Sequence, residues 1–480
     1  MSHPLQGLEP QAVWKFFEEI CAIPHGSRHT GPISQYLLDF AQAHGLRCRR
    51  DGSNNVVIFA PGTEGYEDHA PVILQGHMDM VCEKEPDCTI DFERDGLDLT
   101  HDDTDVFANG TTLGGDDGIA VAYALALLDS KDIPHPPLEV VITTDEEIGM
   151  LGAADIDLSD LKGRTLVNMD SEEEGILTVS CAGGATAILK MPLHRKAVYG
   201  PCWSLSVEGL QGGHSGQEIN KNRANANKVM GELLKKIQET APLCLVKVQG
   251  GAKDNAIPRS CAVSLVAMTM DEELLPKLAA EAQERVRAQY DEPNAVVKAE
   301  AVEAMGGMAM STEDSKNVAD FLCDLPNGVQ AMSQEIPGLV QTSLNLGIAQ
   351  IEEEQLVLTF SVRSSVNEEK TALLETLRQT AERYEGTMEI MGAYPAWEYR
   401  KDSPLRDLMC EVYREQFGKE PEIQAIHAGL ECGLLSDKLP GLDCVSFGPE
   451  MADIHTSREK LNIASVGRMW KYLLEILRRL

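Results

Sequence analysis

The sequence predicts an α/β fold with a mixed, largely parallel sheet, interrupted by an inserted α+β domain. Three observations carry that expectation. Strand-length apolar runs alternate with helical periodicity up to Asp170, and the same texture returns after Trp397. Between them, from near Lys190, strands and helices follow one another in a different order. The last of the acidic and imidazole residues that close the outer apolar runs, His455, lies 285 residues beyond Asp170. A chain that leaves one domain and returns to complete it leaves such a gap.

Residues 10–45 have helical spacing, with Val13, Phe16, Phe17 and Ile20, then Ile33, Leu37, Leu38 and Phe40 on inner faces. Strands are expected at Val56–Phe59, Val72–Leu74, Leu138–Ile142 and Leu166–Met169, with a helix at Ile119–Leu128. In the insert, strands Trp203–Val207, Leu243–Val248 and Cys261–Thr269 accompany helices Asn225–Glu239 and Glu272–Tyr290. A similar order recurs: helix Asn317–Leu322, strands Leu339–Ile348 and Gln355–Val362, helix Glu368–Tyr384, strand Thr387–Met391. The insert therefore reads as two copies of a sheet-and-helix unit, with Ala304–Met310 as their junction. The final part has helices at Leu405–Phe417 and Ala464–Leu480 and strands at Glu422–Ile426 and Cys444–Phe447. The expected boundaries are 1–186 and 397–480 for the outer domain and 187–396 for the insert.

Composition bounds the function classes. A net charge of −34 over 480 residues disfavours nucleic acid and anionic membrane surfaces as partners. The first thirteen residues lack the basic and apolar regions of a signal peptide, and no apolar run approaches the roughly 20 residues that span a bilayer. Twelve cysteines without a CxxC pair read as reduced thiols, so the expected location is cytoplasmic.

Five residues form a candidate metal-ligand set. His77 closes Val72-Ile73-Leu74-Gln75-Gly76-His77-Met78-Asp79; Asp116 lies in the turn Gly114-Gly115-Asp116-Asp117-Gly118; Glu147 ends Val140-Val141-Ile142-Thr143-Thr144-Asp145-Glu146-Glu147; Asp170 follows Leu166-Val167-Asn168-Met169; and His455 sits near the C-terminus. In open α/β sheets ligands bind at the carboxyl ends of strands. Imidazole with carboxylate suits zinc, cobalt or manganese rather than magnesium or calcium. Three carboxylates and two histidines make two three-ligand sites if one carboxylate bridges, and Asp116 suits the bridge because the glycines before it let the backbone pack closely. Asp79 is placed to orient His77, and Glu146 to take a proton from water.

These motifs resemble the dinuclear zinc exopeptidase family, which includes aminoacylases, glutamate carboxypeptidases, carnosinases and bacterial dipeptidases. Leu74–Val81, Gly110-Thr111-Thr112-Leu113-Gly114, Asp170-Ser171-Glu172-Glu173-Glu174-Gly175 and Cys181-Ala182-Gly183-Gly184 are similar to its bacterial dipeptidase branch, active on aminoacyl-histidine. The resemblance implies a mixed-sheet zinc-exopeptidase catalytic domain with an inserted, doubled α+β lid. It implies two Zn2+ per chain, with Co2+ or Mn2+ as substitutes: His77 and Asp170 on one, Glu147 and His455 on the other, Asp116 bridging. The implied reaction is hydrolysis of unblocked dipeptides, Xaa-His included, by a water between the two ions with Glu146 as general base and Asp79 as orienting residue.

By the same resemblance, His214 in Gly212-Gly213-His214-Ser215-Gly216 is a donor to the tetrahedral intermediate. Asn255, Arg259 and Arg363 are candidates for substrate contact, Gly429 for holding a carboxylate through backbone N–H groups, and Glu431 for meeting the α-amino group. A homodimer is compatible with the resemblance, although a doubled lid can supply within one chain what a partner supplies elsewhere. Two alternatives stand at this stage: a related aminoacylase or tripeptidase on the same scaffold, and a non-catalytic metal-binding sensor.

Overall fold

The computed structural model describes residues 3–268 and 271–480, and the chain divides into two compact units. The first comprises residues up to Ser180 together with Tyr399–Ala425 and Leu430–Leu480; the second comprises Cys181–Glu398 and Ile426–Gly429. Ile426–Gly429 thus belongs to the second unit, whereas the sequence reading gave all of 397–480 to the outer domain.

The first unit is built on a mixed eight-stranded sheet. Its order is Arg47–Arg50, Val56–Ala60, Leu138–Thr143, Val72–His77, Thr165–Asn168, Asp443–Ser446, Ile176–Cys181, Glu422–Ile426. The central four-strand block is parallel: Val72–His77 pairs in parallel with Leu138–Thr143 and with Thr165–Asn168, which pairs in parallel with Asp443–Ser446. Every residue of Val72–His77 and of Leu138–Thr143 is buried, as near-continuous apolar runs in a covered parallel sheet require. The helix Gly115–Asp129 is buried on all sides, which matches its uniformly apolar sequence from Ile119 to Leu128. A four-stranded sheet joins Met451–Ala452, Lys460–Asn462, Asp105–Ala108 and Leu99–His101, so chain from beyond the insert is stitched to its first part.

The second unit has a nine-stranded sheet, with the path Val296–Met310, Arg195–Glu208, Cys261–Ala267, Leu243–Gly250, Val340–Glu352, Gln355–Ser364, Gly183–Pro192, Thr387–Tyr394; Gly328–Met332 pairs off this path. It resolves into two four-stranded halves of like order. In each, a first strand leads to a helix, then to second and third strands, a second helix and a fourth strand, and the spatial order is second, third, first, fourth. The halves meet where their second strands pair, Gln249 opposite Gln350 and Gly250 opposite Ala349.

The doubling is nested rather than sequential. The half containing Val340–Glu352 takes its first strand from Gly183–Pro192, before the other half begins. Sequence periodicity placed that half's start at a helix, because its first strand lies some 120 residues upstream of its second element. Ala304–Met310 is likewise no junction: it is the end of a strand paired with Arg195–Glu208, from Arg195 opposite Met310 onward. Its Gly306 has a φ of +94° and sits beside a bulge in that pairing. The expected strand end at Thr269 lies outside the described residues.

Apolar strand faces and helices form the second unit's core. Leu205, Val263, Leu265, Leu346, Leu358 and Phe360 have no more than 1% of their surface exposed. At about 25 cal/mol per Å2 of apolar surface, burial on this scale dominates the stabilisation of the sheet. The helix Ala226–Gln238 is capped by Asn225, whose side chain accepts from the N–H groups of Asn227 and Lys228.

Candidate active site

Five side chains converge at one edge of the first unit's parallel strands. His77 is the last residue of its strand, Glu147 lies in the turn after Leu138–Thr143, and Asp170 lies two residues after Thr165–Asn168. Asp116 stands at the head of Gly115–Asp129, where its φ and ψ of −83° and 103° are not helical. His455 occupies the loop between Met451–Ala452 and Lys460–Asn462 with a φ of +59°, an uncommon conformation for a residue with a Cβ.

The five form two trios that share Asp116. The donor atoms of His77, Asp116 and Asp170 lie within 4.8 Å of one another, as do those of Asp116, Glu147 and His455. Asp116 turns one oxygen to each side: Oδ1 is 3.1 Å from His77 Nε2, and Oδ2 is 3.1 Å from His455 Nε2. His455 Nε2 is also 3.0 Å from Glu147 Oε2, and His77 Nε2 is 3.7 Å from Asp170 Oδ1. Glu147 Oε1 is buried without a hydrogen-bond partner.

This donor set fits a pair of divalent cations. Each trio offers one imidazole nitrogen and carboxylate oxygens from two residues, the mixture zinc accepts in an open catalytic site. Carboxylates far outnumber the imidazoles. Burial pushes Glu146 up to about 8, with the charges of Glu431, Asp116 and Glu147 adding to the rise. Burial likewise raises Glu172 to about 7, helped by Asp116. Hydrogen bonds to Asp116 and Glu147 raise His455 to about 10. Burial alone would raise Asp116, but hydrogen bonds from His455 and His77 hold it well below the usual carboxylate range. Concentrated anionic charge of this kind is what a divalent cation neutralises.

The surrounding residues hold the two trios in place. Asp79 is buried; its Oδ1 accepts from the Glu146 N–H at 3.1 Å, and its Oδ2 from Ser27 Oγ at 2.8 Å and from the Glu147 N–H at 3.4 Å. His77 Nδ1 faces the Asp79 main-chain oxygen at 3.0 Å and its carboxylate at 3.5 Å. Asp79 therefore braces the turn of the expected base as much as it orients the imidazole. Asp117 lies outside both trios: its Oδ2 accepts from the His77 N–H at 3.1 Å. The glycine before His77 is required, since a Cβ on Gly76 would stand 2.4 Å from that Asp117 oxygen.

The second unit carries a separate polar cluster. His214 Nδ1 accepts from the N–H groups of Gln217 at 3.1 Å and Gly216 at 3.3 Å, which places the neutral ring's proton on Nε2. Burial and the Arg363 guanidinium lower the His214 pKa, which favours that neutral form. Arg363 reaches Tyr394 Oη at 3.3 Å through one terminal nitrogen, and its Nε is buried without a partner. His427 is buried beside them, 2.7 Å from Ser343 Oγ, and burial with the charge of Arg363 drops its pKa to about 4. Gly216 sits among the three: a Cβ there would be 2.5 Å from the His427 oxygen, 3.1 Å from His214 Cε1 and 3.3 Å from Arg363 Nε.

A profile of the peptidase family M20/M25/M40 matches residues 73–479. The chain belongs to that family. It is 36% identical to the cytosol non-specific dipeptidase of Escherichia coli (strain K12) across 99% of each chain. It is also similar in structure to the aminoacylhistidine dipeptidase of Vibrio alginolyticus, at 37% identity and a TM-score of 0.94 over 99% of this chain and 98% of that one. The aminopeptidase PepT of Bacillus cereus, at 15% identity and a TM-score of 0.57 over 98% of each chain, shares the fold.

The remaining expected residues of this M20 chain divide by environment. Asn255 is exposed, and its carbonyl oxygen accepts from the Ser215 N–H at 2.9 Å. Arg259 Nε donates to the Leu210 oxygen at 3.2 Å, which ties it to the turn before His214. Gly429 is half-buried in the second unit. Glu431 differs most from its expected contact with a substrate amine. It has no exposed surface, and Oε2 already accepts from Gln75 and Thr143.

Sequence reasoning missed Glu459, His427 and Ser343. Glu459 is a single acid in a polar stretch, without periodicity or motif to mark it. His427 lies two residues before the candidate Gly429, and that proximity was its only signal.

Proposed function

We propose that this M20 chain, a metallo-dipeptidase, hydrolyses the peptide bond of unblocked dipeptides, Xaa-His among them. The observation that supports this most directly is Asp116 presenting one oxygen to each of two imidazole-carboxylate trios. His77, Asp116 and Asp170 would hold one Zn2+, and Asp116, Glu147 and His455 a second. Bound there, the ions would polarise the scissile carbonyl and lower the pKa of water.

The chain's own groups supply the rest. Glu146 takes the proton from the attacking water and returns it to the leaving amine. Asp79 fixes the Glu146 main chain for that transfer. His214, with its proton on Nε2, donates to the carbonyl oxygen on which charge develops. Arg363, whose Nε has no partner of its own, meets the substrate's free carboxylate. Its similarity to a cytosol dipeptidase supports placing the enzyme in the cytoplasm.

A panel of dipeptides, tripeptides and N-acyl amino acids, assayed with chelated and with Zn2+-restored protein, tests this reading. Metal-restored turnover of dipeptides above the other classes is expected. Preferred turnover of N-acyl amino acids or tripeptides would replace the substrate assignment. Sedimentation of the restored enzyme decides between monomer and homodimer.

A further inference from the structure

A fully buried carboxylate ordinarily has both oxygens partnered, because an unsatisfied one costs free energy. Glu431 does not. It has no exposed surface; Oε2 accepts from Thr143 Oγ1 at 2.5 Å and Gln75 Nε2 at 2.6 Å, while Oε1 is buried with no partner. The connections continue through side chains. Gln75 Oε1 accepts from Asn168 Nδ2 at 2.5 Å, and Asn168 Oδ1 accepts from the Asp170 N–H at 3.4 Å. Gln75, Thr143 and Asn168 are each at most 1% exposed, on the three adjacent parallel strands whose ends carry the metal-site turns.

Strand pairing fixes Gln75 opposite Asn168 and His77 opposite Thr143, but Asp170 lies beyond its strand and beyond that ladder. The side-chain chain from Glu431 reaches it there. Apolar residues at Gln75, Thr143, Asn168 and Glu431 would pack without the desolvation cost of four polar groups. A network retained at that cost gains directionality, because each member sets the rotamer of the next.

We propose that Glu431 is a positioning residue for one half of the metal site. Through Gln75 and Asn168 it fixes the turn bearing Asp170, and so sets the affinity of the trio His77, Asp116 and Asp170. On the side of Glu147 the network ends at Thr143: among the described residues no side-chain hydrogen bond carries it on to Glu147 or His455. This rests on the reading that the two trios hold divalent metal.

Calorimetric titration of metal-free protein with Zn2+ tests the proposal, using wild type, Glu431→Ala, Glu431→Gln, Asn168→Ala, Asp170→Ala and the Glu431→Ala/Asn168→Ala pair. Asp170→Ala identifies the binding step that belongs to its trio. Glu431→Ala is expected to weaken that same step about 10- to 100-fold and to leave the other within about threefold. Glu431→Gln, which keeps an acceptor for Thr143 and Gln75, recovers most of the affinity, and the double variant is no weaker than Glu431→Ala alone. Thermal melting establishes that each variant is folded. Two unchanged binding steps in folded Glu431→Ala overturn the proposal, as does an equal weakening of both. A failure of Glu431→Gln to recover affinity overturns it also, by showing that charge rather than the bonded network matters. Wild-type protein that binds no metal would instead overturn the metal-site reading itself.

Discussion

Glu459 Oε1 accepts the backbone N–H of Gly115 at 2.8 Å, across 344 residues of chain. The same carboxylate accepts from Leu113 at 2.8 Å, Gly114 at 3.1 Å and Asp116 at 3.3 Å. Four successive N–H groups therefore close on one acid that is 3% exposed. Space as well as charge is matched, since a Cβ on Gly115 would stand 3.2 Å from Glu459 Oε1. Chain that follows the insert thus shapes the turn bearing Asp116, the residue common to both trios.

Glu459→Ala is expected to strand those N–H groups and loosen Asp116. Because Asp116 serves both trios, affinity should fall for both metal ions, by about 10- to 100-fold. Zinc titration checks this. Weakening of a single step would mean that the turn holds Asp116 without Glu459.

Glu146→Gln keeps the shape of the side chain and removes the proposed base. Turnover of dipeptides should fall about 100- to 10,000-fold, with two metals per chain still measured by atomic absorption. Full turnover in that variant would pass the proton transfer to another group.

His455→Ala removes one imidazole from the trio it forms with Asp116 and Glu147, and leaves His77, Asp116 and Asp170 intact. Metal content should drop from two ions toward one per chain. Retention of both at wild-type affinity would show that His455 is no ligand.

The parallel strands and their terminal acids were legible because burial on both faces leaves unbroken apolar runs that stop where polar chemistry starts, as at Gln75-Gly76-His77. The nested doubling was not, because adjacency in a sheet between Gly183–Pro192 and Gln355–Ser364 leaves no mark on either strand alone. Glu459 and the inward partners of Glu431 were hidden for a related reason. Their significance comes from partners hundreds of residues away, and a buried acid looks in sequence like an exposed one. Glu431 shows the complementary case: the family resemblance suggested a substrate contact, whereas folding turns its Oε2 inward onto Gln75 and Thr143.

Gly216→Ala introduces a methyl 2.5 Å from the His427 oxygen, 3.1 Å from the His214 ring and 3.3 Å from Arg363. Backbone cannot yield as a flexible side chain does, so the polar cluster of the second unit must shift. Dipeptide turnover should fall about tenfold or more, the loss expected when positioned groups move by an ångström, while zinc stoichiometry stays at the wild-type value. Lost metal in this variant would show that the damage had spread to the first unit.

His427 makes stability depend on acidity. Unfolded, its ring titrates near the ordinary 6.5; folded, burial and the neighbouring Arg363 and His214 hold it at about 4. Between those values the unfolded chain binds the extra proton, so stability falls as pH drops from about 6.5 to about 4 and loses nothing further to this group below that. A depression of this size corresponds to roughly 3 kcal/mol at most. His427→Gln removes the titrating ring and should flatten the urea-denaturation midpoint over that pH range relative to wild type. An equally steep decline in the variant would assign the acid sensitivity to other groups.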